Sequence, residues 1–319
     1  MKNINSVIVF GGSGFIGTHL IRELVRHNIN VLSIDLKEPR ERLENVEYRI
    51  GDVRNLKELN VTASYDVIYN FAAIHTTPGH EDIEYFDTNV FGALEVTNLA
   101  RRLNCQEIVF TSSISPYGPG EDEKSEGTVP APTSAYGYSK LQAEEVHRQW
   151  YQENPQRKLT IVRPAVVFGP GEGGNFTRLA TMLRKGFFVY PGRKDTIKGA
   201  IYVKELLNAI EFARNHDSHY VLFNGCFSEK YTIENIVNVF IEDHFPQAKV
   251  FMVPRWCLMS IAKLCRIFNF LNIGIDPQRV LKLVQSTNIK PAWLEENRYQ
   301  YKYDLKKALA DWASESDFR

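Results

Sequence analysis

The chain has 319 residues, 44% hydrophobic and 24% charged, with 38 Lys+Arg against 38 Asp+Glu and no formal net charge. This is an ordinary globular composition, sized for one large α/β domain or two closely joined ones, and the balanced charge gives no electrostatic case for nucleic acid or an anionic membrane. The four cysteines (Cys105, Cys226, Cys257, Cys265) show neither C-x-x-C nor zinc spacing, which predicts reduced thiols in a cytoplasmic protein without a metal site.

Near the N-terminus the one apolar run, Val7-Ile8-Val9-Phe10, is too short for a signal peptide and reads as a first strand. Gly11-Gly12-Ser13-Gly14-Phe15-Ile16-Gly17 follows it, a G-x-x-G-x-x-G loop opening a helix over 15–27. Such glycines allow a tight turn, close backbone approach to a pyrophosphate and close helix–strand packing. The free N–H groups of the helix start, at Phe15 and Ile16, would face the anion.

The run "VLSI" (31–34) reads as a second strand ending at Asp35. A carboxylate there accepts adenosine ribose hydroxyls and repels a 2′-phosphate, so NAD is expected over NADP. Lys37 and Arg40 nearby weaken that preference. After the strand "VEYRI" (46–50), Asp52 and Val53 are placed to hold the adenine edge or to form a simple turn. The runs "DVIYNFA" (66–72), "EIVFTS" (107–112) and "LTIVRP" (159–164) are further strands, and 83–103 and 134–153 are helical. Continuous apolar strands alternating with helices predict a parallel sheet covered on both faces.

In the helix over 134–153, Tyr136 lies four residues before Lys140 in "YGYSK". Residues i and i+4 share a helix face, so the lysine is expected to favour the tyrosine's phenolate. After about residue 170 the character changes. Gly169-Pro170-Gly171 and "YPGRKDTIKG" (190–199) read as loops, while "HYVLFNG" (219–225) returns to the sheet. The expected division is 1–170 for the dinucleotide-binding domain, rejoined near 200–226, and 171–319 for a smaller, mostly helical lobe that binds substrate. Within that lobe Trp256–Ile275 is amphipathic, interrupted by Lys263 and Arg266, and reads as a buried or cleft-covering helix rather than a membrane span, with peripheral membrane contact as the alternative.

Glycine loop, strand-end acid and Y-x-x-x-K together resemble the extended short-chain dehydrogenase/reductase family, whose nucleotide-sugar members include epimerases, dehydratases and ketoreductases. The likeness runs from residue 6 to about 215. It implies a Rossmann-type doubly wound fold, a homodimer formed through the helices 83–103 and 134–153, and a nucleotide-sugar substrate, UDP-linked. Phe71-Ala72-Ala73 resembles the family's segment beside the cofactor, and Asn89 in "DTNVFG" its helix asparagine. "TSSISPYG" (111–118) implies Ser113 as the catalytic serine, with Tyr136 as acid/base and Lys140 lowering its pKa and binding the nicotinamide ribose. "RPAVVFGPG" (163–171) is similar to the segment passing the nicotinamide, which places Pro164 and Val166 there. Asn175 and Lys198 fall where relatives meet the substrate diphosphate, and His75 where a hexose could be touched.

Two residues narrow the reaction. Ile114 and Ser115 stand where family 4,6-dehydratases carry an Asp-Glu pair, and Ser115 where 3,5-epimerases of the family carry a cysteine. Hydride transfer at one carbinol carbon remains, as an NAD-dependent 4-epimerase of a nucleotide hexose or as a 4-ketoreductase of polysaccharide-precursor synthesis. A hydroxysteroid-type dehydrogenase and a non-catalytic dinucleotide sensor are further alternatives.

Overall fold

The structure is a computed structural model that describes residues 4–76, 79–254 and 285–319. In chain order the first half runs β1 (Ser6–Phe10), α1 (Phe15–Arg26), β2 (Asn30–Asp35), β3 (Val46–Ile50), β4 (Val67–Asn70), α2 (Asp82–Phe86), α3 (Gly92–Arg102), β5 (Glu107–Thr111) and β6 (Gly120–Lys124). There follow α4 (Ala135–Gln152), β7 (Lys158–Pro164), β8 (Val166–Phe168), α5 (Asn175–Arg184), β9 (Phe187–Gly192), β10 (Ala200–Tyr202), α6 (Val203–Arg214) and β11 (Tyr220–Gly225). The remaining elements are α7 (Ile233–Asp243), β12 (Lys249–Pro254), β13 (Thr287–Ile289), α8 (Ala292–Glu296) and α9 (Leu305–Ser316).

Seven strands form one parallel sheet in the order β11-β7-β5-β4-β1-β2-β3. The side-chain period of two explains how it is sandwiched. Val7, Val9, Val31, Val67, Tyr69 and Val109 face α1 and α6, meeting Leu20, Leu24, Leu206 and Ile210. Their neighbours Ile8, Phe10, Leu32, Ile34, Ile68, Ile108 and Phe110 face α3 and α4, meeting Val96, Leu99, Ala143 and Trp150. The inner strands β1, β2, β4 and β5 are apolar on both faces, as expected for a sheet covered twice, while the edge strand β3 carries Glu47 and Arg49. The strand order reverses between β1 and β4, and the crevice at the strands' carboxyl ends is where such sheets bind ligands.

The second half adds features that the sequence pattern does not announce. Its helices are joined by short parallel pairs, β8 with β10, β9 with β12 and β6 with β13. Part of the expected 190–199 loop is thus strand β9. Phe168, Phe176, Tyr202, Phe240 and Trp312 form a separate aromatic core here. The segment Trp256–Ile275 lies outside the described residues.

The expected helix 83–103 is also not uniform. A π-helical turn, Asp87–Phe91, separates α2 from α3. Its cause is Asn89, whose side chain is drawn inward to bond Ile74 and Ser139. Such single-turn bulges mark places where a side chain is re-aimed.

Close packing at the first βα junction yields a stability prediction. A Cβ on Gly17 would lie 2.2 Å from the Gly11 carbonyl oxygen and 2.7 Å from Gly12 Cα, both rigid backbone. Gly17→Ala is therefore expected to lower stability by about 1–3 kcal/mol, the usual cost of overpacking. Gly127→Ala, where a Cβ would meet nothing within 4 Å, serves as the neutral control in thermal and urea melts. Equal melting behaviour of the two variants would contradict this account of the junction.

Candidate active site

At the end of β1 the chain turns through Gly11, which has φ +77° and lies so close to Phe71 and Ala72 that a Cβ would sit 2.8 Å from their backbone. The glycine loop and the Phe71-Ala72-Ala73 segment are thus packed directly together. Helix α1 begins with Gly14 as N-cap, without a side-chain cap and without an acid in its first turn. The N–H groups at Phe15 and Ile16 and the positive end of the helix dipole are therefore available to an anion. Asp35, at the end of β2, accepts from the Ser13 and Lys37 backbone N–H groups, both at 3.0 Å. That fixes the carboxylate beside the glycine loop. A glycine cradle, an uncapped helix start and an oriented strand-end carboxylate together fit a dinucleotide.

Asp52 and Val53 already have partners within the protein. The Asp52 carboxylate binds the Arg54 side chain at 2.6 Å and its backbone N–H at 2.9 Å, and the Val53 side chain is buried in the core. Here the aspartate is a turn residue. Asn89 is likewise saturated by the protein. Its Oδ1 accepts from the Ile74 N–H at 3.0 Å, and its Nδ2 donates to the Ile74 carbonyl at 3.2 Å and to Ser139 Oγ at 2.9 Å. It fastens the loop after β4 to α4, one residue from Lys140.

The Y-x-x-x-K segment is helical, as the spacing predicts. Ser134 caps α4 by accepting from the Gly137 N–H at 3.1 Å, which puts Tyr136 in the first turn. Lys140 is 2% exposed. Its Nζ donates to the Thr111 carbonyl at 2.8 Å and lies 4.9 Å from the centre of the Phe110 ring. Ser113, just past β5, exchanges hydrogen bonds with Ser115 Oγ and N–H, both at 3.1 Å, and it is the polar group that favours the Tyr136 phenolate against burial. Serine, tyrosine and lysine are one cluster.

Its electrostatics differ from the simple pair expected of the sequence. Burial pushes the Tyr136 phenol up to about 12, opposed by the Ser113 hydrogen bond. Burial also pulls the Lys140 ammonium down to about 7, opposed by Glu144. Desolvation disfavours both charged forms and outweighs the pairing expected between them. His75 belongs to the same neighbourhood. Desolvation and then the Lys140 charge lower its pKa, against a hydrogen bond with Ala73.

Pro164 ends β7 and Val166 begins β8, and the Ile114 N–H donates to the Pro164 carbonyl at 3.2 Å, so both stand beside Ser113. Asn175 is exposed at the first position of α5. The first-turn N–H of Thr177 already donates to the Glu172 carboxylate at 3.0 Å. Lys198 Nζ donates to the Gln285 carbonyl at 2.6 Å, and burial draws its pKa down to about 8. Neither Asn175 nor Lys198 touches the Ser113 cluster in this conformation.

Several participants escape sequence reading. Tyr85 stands with its ring 6.1 Å from that of Tyr136. His19 joins α1 to the loop after β8 through a 2.9 Å contact with the Pro170 carbonyl. Glu144 and Arg163 form a buried ion pair behind Ser113. Only the i+4 repeat from Lys140 to Glu144 could have signalled one of them. Among the described residues no group of three or more His, Cys, Asp or Glu could hold a metal ion. Cys105 and Cys226 are buried with thiols pushed up, that of Cys105 to about 11, which disfavours the nucleophilic thiolate.

The model of the "NAD dependent epimerase/dehydratase family" matches residues 7–224, and the chain belongs to that family. An Escherichia coli O157:H7 protein named N-acetyl-alpha-D-glucosaminyl-diphospho-ditrans,octacis-undecaprenol 4-epimerase is 32% identical over 69% of this chain and 66% of its own length. A Pisum sativum bifunctional UDP-glucose 4-epimerase and UDP-xylose 4-epimerase is 30% identical over 53% of this chain and 54% of its own. The aligned parts thus span between half and two thirds of these relatives. A Thermus thermophilus UDP-glucose 4-epimerase solved in complex with NAD superposes with TM-score 0.74 at 19% identity, over 98% of this chain and 99% of the other. That likeness shows a shared fold.

The displaced Lys140 pKa has a measurable consequence for stability. The folded value lies below the unfolded one, so between about pH 7 and pH 10.5 the unfolded chain binds the extra proton. Stability therefore rises with pH across that window and is lost as pH falls through the folded value. Lys140→Met removes this dependence. Urea denaturation at pH 6 and pH 9 is expected to show wild type gaining on Lys140→Met at the higher pH. A difference independent of pH would mean that the lysine is not desolvated as described.

Proposed function

We propose that this member of the family is an NAD-dependent 4-epimerase of a diphosphate-linked hexose, with a nucleoside diphosphate sugar as substrate. The observation that carries the reading is the Ser113–Tyr136–Lys140 cluster, built where the sheet's strand ends meet the dinucleotide-binding side. Residues Gly11, Gly14, Phe15, Ile16, Gly17 and Asp35 would hold NAD, with Phe71, Ala72, Ala73, Pro164 and Val166 lining its nicotinamide end. When bound, the cofactor supplies a reversible hydride acceptor for the sugar C4 carbon and a positive ring charge.

Tyr136 accepts the proton of the C4 hydroxyl, and Ser113 donates a hydrogen bond to the same oxygen as its charge changes. Since burial alone holds the phenol high, Tyr136 needs a positive field to act near neutral pH. The Lys140 ammonium, held at the Thr111 carbonyl, contributes to that field. In the reverse half-reaction, on the opposite face of C4, Tyr136 would return the proton to the same oxygen. Residues 171–319 would supply most of the sugar site, with His75, Asn175 and Lys198 at its edge. A cytoplasmic setting belongs to the same proposal; Cys105 and Cys226 are free and buried.

A lipid-linked sugar diphosphate is the second reading. It is favoured by the name of the Escherichia coli relative and by Val250, Phe251 and Met252, three consecutive apolar residues on β12 exposed by 39%, 55% and 56%. Parallel assays on UDP-N-acetylglucosamine and N-acetylglucosaminyl diphosphopolyprenol separate the two.

Two outcomes test the proposal. Tyr136→Phe should slow turnover by about 10²–10⁴-fold, the usual worth of general acid–base catalysis, while NAD affinity stays within a few-fold. Substrate deuterated at C4 should keep its label through epimerisation without added NADH; delivery of label from external NADH into product would make the protein a reductase instead. Unchanged turnover by Tyr136→Phe would remove the catalytic assignment altogether.

We also propose a homodimer formed through α2, α3 and α4. Ile83, Leu94 and Tyr138 on these helices and Phe91 in the π-helical turn between α2 and α3 are exposed by 62%, 39%, 49% and 53%, apolar surface that pairing would bury. Sedimentation velocity should find a dimer for wild type and a monomer for the double variant Phe91→Glu/Leu94→Glu. A monomeric wild type would refute it.

A further inference from the structure

Glu144 is 0% exposed and stands one helical turn beyond Lys140 on α4. Its carboxylate gathers four donors from three directions. Ser112 Oγ donates at 2.6 Å from the end of β5. Arg163, at the end of β7, donates through Nε at 2.8 Å and Nη2 at 2.6 Å. Arg148, one turn further along α4, donates at 3.1 Å. The Arg163 guanidinium also lies 4.7 Å from the centre of the Tyr117 ring, and the Tyr117 hydroxyl donates to Asn224 on β11 at 2.8 Å.

Two partners of this carboxylate are one step from a residue of the site. Ser112 precedes Ser113, and Arg163 precedes Pro164. Glu144 shares its helix face with Tyr136 and Lys140. We propose that Glu144 is a positioning residue for proton transfer, fastening the ends of β5 and β7 to α4 and holding the Lys140 side chain in its ammonium form. The proposal rests on the reading of Lys140 as the partner of Tyr136.

The surroundings of Lys140 support it. On its own helix it faces Tyr136, Glu144 and His147. From β5 come the Phe110 ring and the Thr111 carbonyl, and from the loop after β4 comes His75. Arg163 and Arg148 stand on the far side of the carboxylate. Burial opposes the ammonium, and Glu144 is the charged neighbour that favours it. Stability alone is a weak reason for a buried ion pair, since apolar replacements of similar volume are often neutral or better. Placement of two strand ends against α4 and of one charge gives this pair a use.

The test is a direct titration of Lys140 by ¹³C NMR of protein labelled at lysine Cε, with the Lys140 signal assigned by its loss in Lys140→Met. Glu144→Gln keeps the shape but loses the charge, and should lower the midpoint by about one pH unit or more. Glu144→Asp keeps the charge and should stay near wild type. Arg148→Gln leaves the carboxylate less neutralised and should raise the midpoint, whereas Arg148→Lys should not. The alkaline limb of the rate profile should move in the same directions. If Glu144→Gln does not fold, the Arg148 pair decides: a rise in Arg148→Gln alone supports the proposal. An unmoved midpoint, or one that shifts the same way in Glu144→Gln and Arg148→Gln, overturns it. Should the midpoints move as expected while wild type epimerises no sugar diphosphate, the functional reading fails and the positioning role stands.

Discussion

The hydrogen bond from Lys140 to the Thr111 carbonyl, at 2.8 Å, sets how close a helix must lie to the end of a strand. A lysine can reach that carbonyl from inside the core only if α4 packs against the sheet along its whole length. The sequence permits this with small residues at the approach points. A Cβ on Gly137 would sit 2.9 Å from the Ser115 carbonyl oxygen, and Ala143 lies wholly within the core beneath the sheet. Once α4 is seated, Tyr136 stands over Ser113, and Asn89 can bridge Ser139 to the loop after β4. The site is a product of this packing as much as of its named residues.

The same burial makes the chemistry conditional. In water a lysine four residues from a tyrosine would be a weak pair, each group near its ordinary titration. Inside the protein, desolvation works against both ions, raising the tyrosine and lowering the lysine. The resulting pair is poised rather than pre-ionised. Added positive charge at the dinucleotide end then weighs heavily, because interactions in a poorly solvated site are little screened. A tyrosine that ionises only with an oxidised cofactor beside it would keep proton transfer coupled to hydride transfer.

What the sequence disclosed follows from the range over which its signals act. Runs such as "VIVF" and "VLSI" name a doubly covered strand by local composition, and all seven sheet strands were legible in this way, including the late return at 220–225. Ser113, Tyr136 and Lys140 were legible as a resemblance, and the structure brings them together. Asp52 shows the limit: a strand-end acid looks alike whether it faces a ligand or closes a turn on Arg54. The π-helical turn was invisible because its cause is Asn89 reaching Ile74, fifteen residues away. The short pairs β6–β13 and β9–β12 depend on partners far along the chain, which local periodicity cannot supply.

The substrate side shows how the chain's own groups shape recognition before any ligand is considered. The first turn of α5 would favour a diphosphate through its N–H groups and dipole. Here Glu172 already supplies an anion, accepting from the Thr177 N–H at 3.0 Å and hydroxyl at 2.7 Å. A diphosphate at this helix start would meet a carboxylate of its own sign and would have to displace it. Lys198, drawn toward the Gln285 carbonyl, is a point charge without the fork of an arginine. Both features argue for a loosely specified diphosphate grip. Under the proposed function, discrimination among sugars would then fall to the side chains around Tyr136, with Ser115, Tyr85 and His75 as polar candidates among the described residues. On the proposed reading, a site built in this way would read the hexose more strictly than the group that carries it, compatible with either a nucleotide or a lipid on the far phosphate.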